Sequence, residues 1–217
     1  MRVAHVAAPI RTQVVETLRT AITSGRFAAG QRLVEKELCA LMEVSRASLR
    51  EALRQLEAEG LVVNVPNRGL VVARLTARDA ESIYEVRGVL EALAARLFAT
   101  RATDEQVAAL ETAVDRLGAA YAGGDVERII EIKKEFYDIL FAGSGNSVIP
   151  SILRSVNARI TQLRRVSLSS PARWPASIGE IRAILAAIKR RDPEAAFQTA
   201  LDHVQRAATA ALPLLEP

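Results

Sequence analysis

Hydrophobic positions recur along most of this chain at helical spacing. Between about Ala8 and Ser24, the residues Ile10, Val14, Leu18, Ala21 and Ile22 repeat at three- and four-residue steps, which predicts an amphipathic helix closed by Gly25. The turn R-F-A-A-G-Q follows, with Gly30 its expected positive-φ residue. Leu33 and Val34 lead into a short helix from Glu35 to about Met42, and two or three residues later Ser45 stands as the N-cap of another. In that second helix, ended by Gly60, Leu49, Ala52, Leu53 and Leu56 share one face. Arg46, Arg50 and Arg54 step along a different face at i, i+4 and i+8. Two short helices joined this tightly form a helix-turn-helix. The period then changes to L-V-V-N-V, P-N-R-G and L-V-V-A-R-L, two β-branched runs that predict a hairpin with Asn67 and Arg68 at its tip. A helix-turn-helix followed at once by a hairpin is a winged helix.

Everything after Leu75 reads as helix. Thr76 with Asp79, Thr103 with Gln106 and Ser177 with Glu180 have the spacing of an N-cap and its third-position partner, the last two as full capping boxes. Asp125 follows a glycine pair, and Asp192 precedes Pro193 at a first helical position. Apolar stripes lie between these starts: Ile83, Val86, Leu90, Leu93 and Leu97; Ile129, Ile132, Phe136, Ile139 and Leu140; Ile178, Ile181, Leu185 and Ile188. About six helices with short connections predict an antiparallel bundle. The expected fold class is therefore mostly α, with a winged helix-turn-helix domain over 1–75 and an all-α domain over 76–217.

Composition narrows the function. Aromatics are few, so Leu, Val, Ile and Ala must fill the core, and the single cysteine, Cys39, excludes an internal disulfide framework and fits a reducing cytoplasm. Cys39 lies in an apolar run, where a small buried filler is expected. No run approaches the roughly 18 apolar residues of a membrane helix, and Arg11 interrupts any signal-peptide core, so no membrane association and a cytoplasmic location are expected. Net charge is uneven. Residues 1–74 carry 11 Lys and Arg against 7 Asp and Glu, a net of +4, while the remaining residues carry 18 of each. The whole basic excess therefore accompanies the arginine helix, as expected of a nucleic-acid-binding unit joined to a neutral partner. In the second half there is no nucleophile elbow, phosphate-cradling loop or cysteine pair, and His5 and His203 are the only histidines, so an enzyme is not expected.

A helix fits the DNA major groove; arginines at its start reach guanine edges, and serines bond phosphates. The competing interpretation is an amphipathic surface helix with a solvated basic face. The combination of motifs weighs against it. Residues 8–75 resemble the DNA-binding domain of the GntR family of bacterial transcription regulators. The carriers are the block from Val44 to Leu61, the L-x-E-x-x-L approach from Leu33 to Leu38, and the P-x-R-G wing from Pro66 to Gly69. The resemblance implies DNA contacts at Lys36, at Ser45, Arg46, Ser48 and Arg50, and at Arg68 with Gly69 in the wing. Ala29-Gly30 replaces the family's Pro-Gly, Ala47-Ser48 replaces its Thr-Pro, and Glu43 occupies its turn glycine. At Glu43 a left-handed backbone would cost about 1 kcal/mol.

The second half resembles the all-helical FCD domain of the FadR-type branch. The carriers are Y-E-V-R-x-x-L-E (Tyr84 to Glu91), F-Y-x-x-L-x-x-x-x-G-N (Phe136 to Asn146) and E-I-R-A-I-L-A-A-I-x-x-x-D (Glu180 to Asp192). Many members bind a divalent metal there through an aspartate and three histidines. Those positions read Lys133, Tyr137, Ile181 and His203 in this chain, so neither a metal nor another cofactor is expected. Lys133 would instead supply positive charge and, with Arg87, Tyr137, Arg159 and His203, hold a small carboxylate. The opposing interpretation makes Lys133-Lys134 a solvated pair and His203 a satisfied core residue. The resemblance implies a homodimeric, ligand-responsive regulator, a repressor, binding a double-stranded pseudo-palindromic operator. The alternative is a constitutive DNA-binding dimer whose helical domain senses no ligand.

Overall fold

In the computed structural model, residues 8–215 are described, and the chain divides into two compact units. The first comprises residues 1–75 together with 155–162; the second comprises 76–154 and 163–217.

The first unit holds α1 (Ala8–Thr23), α2 (Glu35–Met42), α3 (Arg46–Ala58), β1 (Val62–Val65) and β2 (Gly69–Val72). Ser45 caps α3, its hydroxyl accepting from the Ser48 amide at 3.1 Å, and Gly60 follows the helix at φ 70°. Leu49, Ala52, Leu53 and Leu56, the apolar face read from the sequence, are all buried, against Val14, Leu18 and Ile22 of α1 and Leu38 of α2. Ile10 is the exception on the α1 stripe: it is exposed, and Val15 is buried in the core. Cys39 is half-buried, packed beside this core and not enclosed by it. The strands pair antiparallel from Val62 with Val72 to Val65 with Gly69. The turn before α2 joins them: Leu33 donates to the Leu70 carbonyl at 2.8 Å, and Val72 to that of Gln31 at 2.9 Å. This ladder ties the hairpin to the start of α2.

The second unit contains α4 (Ala77–Arg101), α5 (Asp104–Gly123), α6 (Val126–Gly143), most of α7 (Val148–Leu168), α8 (Trp174–Lys189) and α9 (Pro193–Ala211). Thr76, Thr103, Asp125 and Asp192 each accept the backbone amide three residues on, and Thr103 with Gln106 closes a full capping box. Ser177 does not cap. Trp174 and Pro175 open α8 a turn earlier, at the end of the 3-10 turn Pro171–Arg173, which leaves Ser177 inside the helix and buried.

The stripe predicted on α4 is also displaced. Val86 and Val89 are exposed and Leu90, Leu93 and Leu97 only half-buried, whereas Tyr84, Arg87, Gly88 and Glu91 are buried. A helix normally turns charge outward. Here the bundle interior offers opposite charges and hydroxyls, and these reverse the preference.

Candidate nucleic-acid interface and buried ionic cluster

On the first unit, α3 presents its cations to solvent. Arg46, at its first position, and Arg50 one turn on are both exposed, as is Lys36 on α2. With Arg32 and Arg54 they line an open cleft beside the hairpin, with Gly69 at its edge. Arg32, in the turn before α2, is a cleft residue that helical periodicity alone does not reveal. Glu35 and Glu57 share the cleft. Glu35 grips the Arg50 guanidinium at 3.0 Å, and its hydrogen bonds, then its charge, raise the Arg50 pKa. Arg54 is paired with Glu51 at 2.7 Å. Ser45 and Ser48 hydroxyls lie 3.0 Å apart, tied to each other at the cap. At the hairpin tip Asn67 is left-handed at φ 63°, Arg68 is exposed, and Gly69 stands at φ 75° with open space where a Cβ would lie. A straight, cationic helix face beside a bare glycine edge suits a polyanionic groove with its flanking backbone.

In the second unit, Lys133, Tyr137, Arg87 and His203 come together, and all four are buried. Arg87 donates to Glu91 at 2.7 Å and to the Tyr137 hydroxyl at 3.3 Å. Lys133 Nζ reaches the Ser177 hydroxyl at 3.4 Å, which in turn is 2.8 Å from that of Tyr121. Lys134 is exposed and paired with Asp138, so the two neighbouring lysines have opposite environments. His203 Nδ1 lies 2.8 Å from Glu180, which also accepts from Arg173 at 2.9 Å. Arg159 is not in the cluster: it groups with the first unit, next to Gly60. Five residues along a helix turn the side chain by about 140°, which explains why Arg164 and not Arg159 faces inward. Its guanidinium stacks 4.5 Å from the Tyr137 ring centre and 3.8 Å from Glu91. His5 lies outside the described residues.

Glu91, Arg164, Arg173, Ser177 and Glu180 were not singled out from the sequence as members of this cluster. One signal existed for Arg164, a cation four residues from both Ile160 and Leu168 on the buried stripe of α7.

Burial and three guanidiniums, with Arg164 the nearest in effect, lower the Lys133 pKa to about 7. Burial likewise lowers His203 to about 4 against the opposing pull of Glu180, so the imidazole is neutral near pH 7 and its Nδ1–H donates to the carboxylate. For Glu180, burial is outweighed by the His203 and Arg173 contacts, and its pKa falls to about 2. Several enclosed polar atoms have no protein partner: the Tyr84 hydroxyl, Glu91 Oε2, Arg164 Nε, Arg173 Nη1 and His203 Nε2. Among the described residues no group of three or more His, Cys, Asp or Glu side chains converges. A divalent cation does not fit here, because the neighbours of His203 include a lysine and several guanidiniums that repel it.

The comparisons agree with both halves. Residues 10–72 match the bacterial regulatory proteins of the gntR family, and residues 82–206 match the FCD domain. The chain is 32% identical over 196 residues to the uncharacterized HTH-type transcriptional regulator YdhC of Bacillus subtilis, covering 90% of this chain and 88% of that protein. It is 33% identical to the Nta operon transcriptional regulator of Aminobacter aminovorans, covering 84% and 85% of the two chains. Among solved structures, Escherichia coli McbR/YncC has the same fold, with a TM-score of 0.81 at 23% identity over 95% of this chain and 98% of that one. A GntR chain from Rhodococcus sp. RHA1 gives 0.79 at 28% identity, covering 94% and 97%. No helix among the described residues is long and apolar enough to cross a membrane. The exposed cations of α3 and the wing, and the helical unit that follows them, are those of a DNA-binding transcription regulator, and the chain belongs to the GntR family with a C-terminal FCD domain.

Proposed function

We propose that this regulator is a homodimeric repressor that binds a short pseudo-palindromic operator and responds to a small carboxylate held in the helical unit. The observation that carries the DNA-binding half is the exposed row formed by Lys36, Arg46 and Arg50 beside Arg68 and Gly69. Ser45 and Ser48 complete the proposed contact set at the opening turn of α3. In this arrangement phosphate contacts set the register and Arg46 and Arg50 read base edges in each half-site. In this reading residues 1–75 bind DNA and residues 76–217 bind the effector and dimerise.

Effector contacts are assigned to Arg87, Lys133, Tyr137 and His203, with Arg164 taking the place first given to Arg159. Enclosed cations with unpartnered N–H groups support an anionic effector. Bound there, it alters operator affinity only to the extent that it prefers one arrangement of the dimer. Val86 and Val89, exposed on α4, give the helical unit an apolar edge for a second copy. The work is regulatory and not enzymatic, and operator binding places it in the cytoplasm.

Nuclease footprinting on DNA around its own gene tests the reading. The expected result is one protected site with two inverted half-sites about one helical turn apart. Protection that does not depend on sequence, or a single unrepeated half-site, overturns it.

A further inference from the structure

The cleft on the first unit has two walls, one made by the helices and one by the hairpin with the turn before α2. Charge is distributed unequally between them. On the helical wall Arg50 is held by Glu35 at 3.0 Å and Arg54 by Glu51 at 2.7 Å, and Glu57 adds an exposed carboxylate. The sheet wall includes Arg32, Asn64 and Gly69 and carries no carboxylate. Arg32 and Asn64 are both exposed, and neither side chain has a hydrogen-bond or ion-pair partner among the described residues. A polyanion entering the cleft therefore meets free donors on the sheet wall, whereas on the helical wall it has to displace carboxylates from two of the arginines.

Arg32 owes its position to the backbone. Residues 30–33 run beside β2 as a short third strand. Gly30 donates to the Val72 carbonyl and Leu33 to that of Leu70, both at 2.8 Å, and Arg32 itself bridges to Val71. Leu33 is buried and anchors the segment in the core. Asn64 lies opposite Leu70 across the hairpin. Val71 is two residues along β2 from Gly69, about 7 Å, so these positions continue inward from the wing tip. With its backbone fixed in the sheet, Arg32 has only side-chain freedom to lose on binding.

We propose that Arg32 and Asn64 are a further strip of the DNA-binding surface, the Arg32 guanidinium pairing with a backbone phosphate and the Asn64 carboxamide donating to the backbone beside it. The duplex is then gripped from both walls of the cleft, with base reading left to α3. Contacts of this kind set register and carry no sequence information. The strip extends the DNA contact set given above and rests on that reading of the cleft.

Fluorescence anisotropy titrations of the full-length protein over a salt series test the strip, with two probes: the duplex protected in footprinting around its own gene, and a random-sequence duplex. Arg32→Gln should weaken both DNAs several-fold and lower the slope of log affinity against log salt by about 0.9, the loss of one phosphate contact. Arg32→Lys, which keeps the charge, should restore the slope. Asn64→Ala should weaken both DNAs with the slope unchanged, because a carboxamide releases no counterion. Thermal unfolding checks that each exposed substitution leaves the fold intact. Unchanged affinity and slope in Arg32→Gln overturn the inference. So does a loss confined to the protected site at unchanged slope, which would make Arg32 a base reader. If Arg46→Ala and Arg68→Ala weaken binding while Arg32→Gln does not, the strip falls and the cleft stands. If none of the three weakens binding, the cleft is not the DNA-binding face and both readings fall.

Discussion

Glu43 ends α2 in the left-handed region, at φ 54° and ψ 41°, where it is exposed and its amide bonds back to the Cys39 carbonyl. A side chain there is strained and glycine is not, so Glu43→Gly should raise the unfolding free energy by about 1 kcal/mol, read as a higher urea midpoint at unchanged m-value. Gly143 is the opposite case. A Cβ at this buried position would lie 2.3 Å from Phe98 Cε2. Gly143→Ala therefore forces a fully buried ring to move and should cost about 1–3 kcal/mol in the same measurement. The strain at Glu43 was legible because the resemblance sets a glycine at that turn position. The contact at Gly143 was not, because its partner is 45 residues away (143 − 98) on another helix.

Helix α3 holds the DNA assignment. Arg46 stands at its start, exposed, and Arg46→Ala should remove about 1–3 kcal/mol of discrimination between operator and random DNA if the contact is bidentate. Arg68→Ala, at the wing tip, should weaken both kinds of DNA more evenly, and paired gel-shift titrations separate the two effects. Arg50 is held by Glu35 in the DNA-free protein, so DNA has to compete for its guanidinium. Glu35→Gln should tighten binding to both DNAs and steepen the salt dependence, since one more cation becomes available to phosphate. No change in either quantity would mean that Arg50 does not reach DNA. Helix α4 shows where periodicity misleads. Its apolar positions include two exposed valines, and its buried face includes an arginine and a glutamate. Charge pairing across the bundle, invisible within one helix, decides which face turns inward.

For the protein as a unit, the ionic cluster predicts an acid-sensitive fold. His203 falls from 6.5 to about 4 on folding, and Glu180 from 4.5 to about 2. Between the two values of each group the unfolded chain binds more protons, so stability is present above the unfolded value and is lost as pH drops. The melting temperature should therefore decline as pH falls from about 6.5 to 4 for His203, with Glu180 adding its loss below about 4.5. Lys133 acts in the same direction: lowered from 10.5 to about 7, it makes stability rise between those pH values. In His203→Gln the decline through the histidine range should flatten while the Glu180 portion persists. An unchanged profile would mean that the folded protein does not hold His203 neutral. An effector that binds only the folded state should raise the melting temperature in proportion to the logarithm of its concentration.

Local chemistry was enough to place most of the elements. Thr76, Thr103, Asp125 and Asp192 start helices because a side-chain oxygen can accept an amide three residues ahead, and Leu49, Ala52, Leu53 and Leu56 share a face because 3.6 residues make a turn. The arginine face of α3 followed from the same geometry. Ser177 shows the limit, since its capping-box spacing is matched inside α8 by a hydroxyl turned toward Lys133 and Tyr121. The cluster around it draws side chains from α4 through α9, more than a hundred residues of chain, and no local pattern records which of them meet. Packing selected Arg164 over Arg159, buried Lys133 while leaving Lys134 in water, and set Glu91 and Glu180 among the cations. An enclosed charge is tolerated only where distant segments bring it a partner.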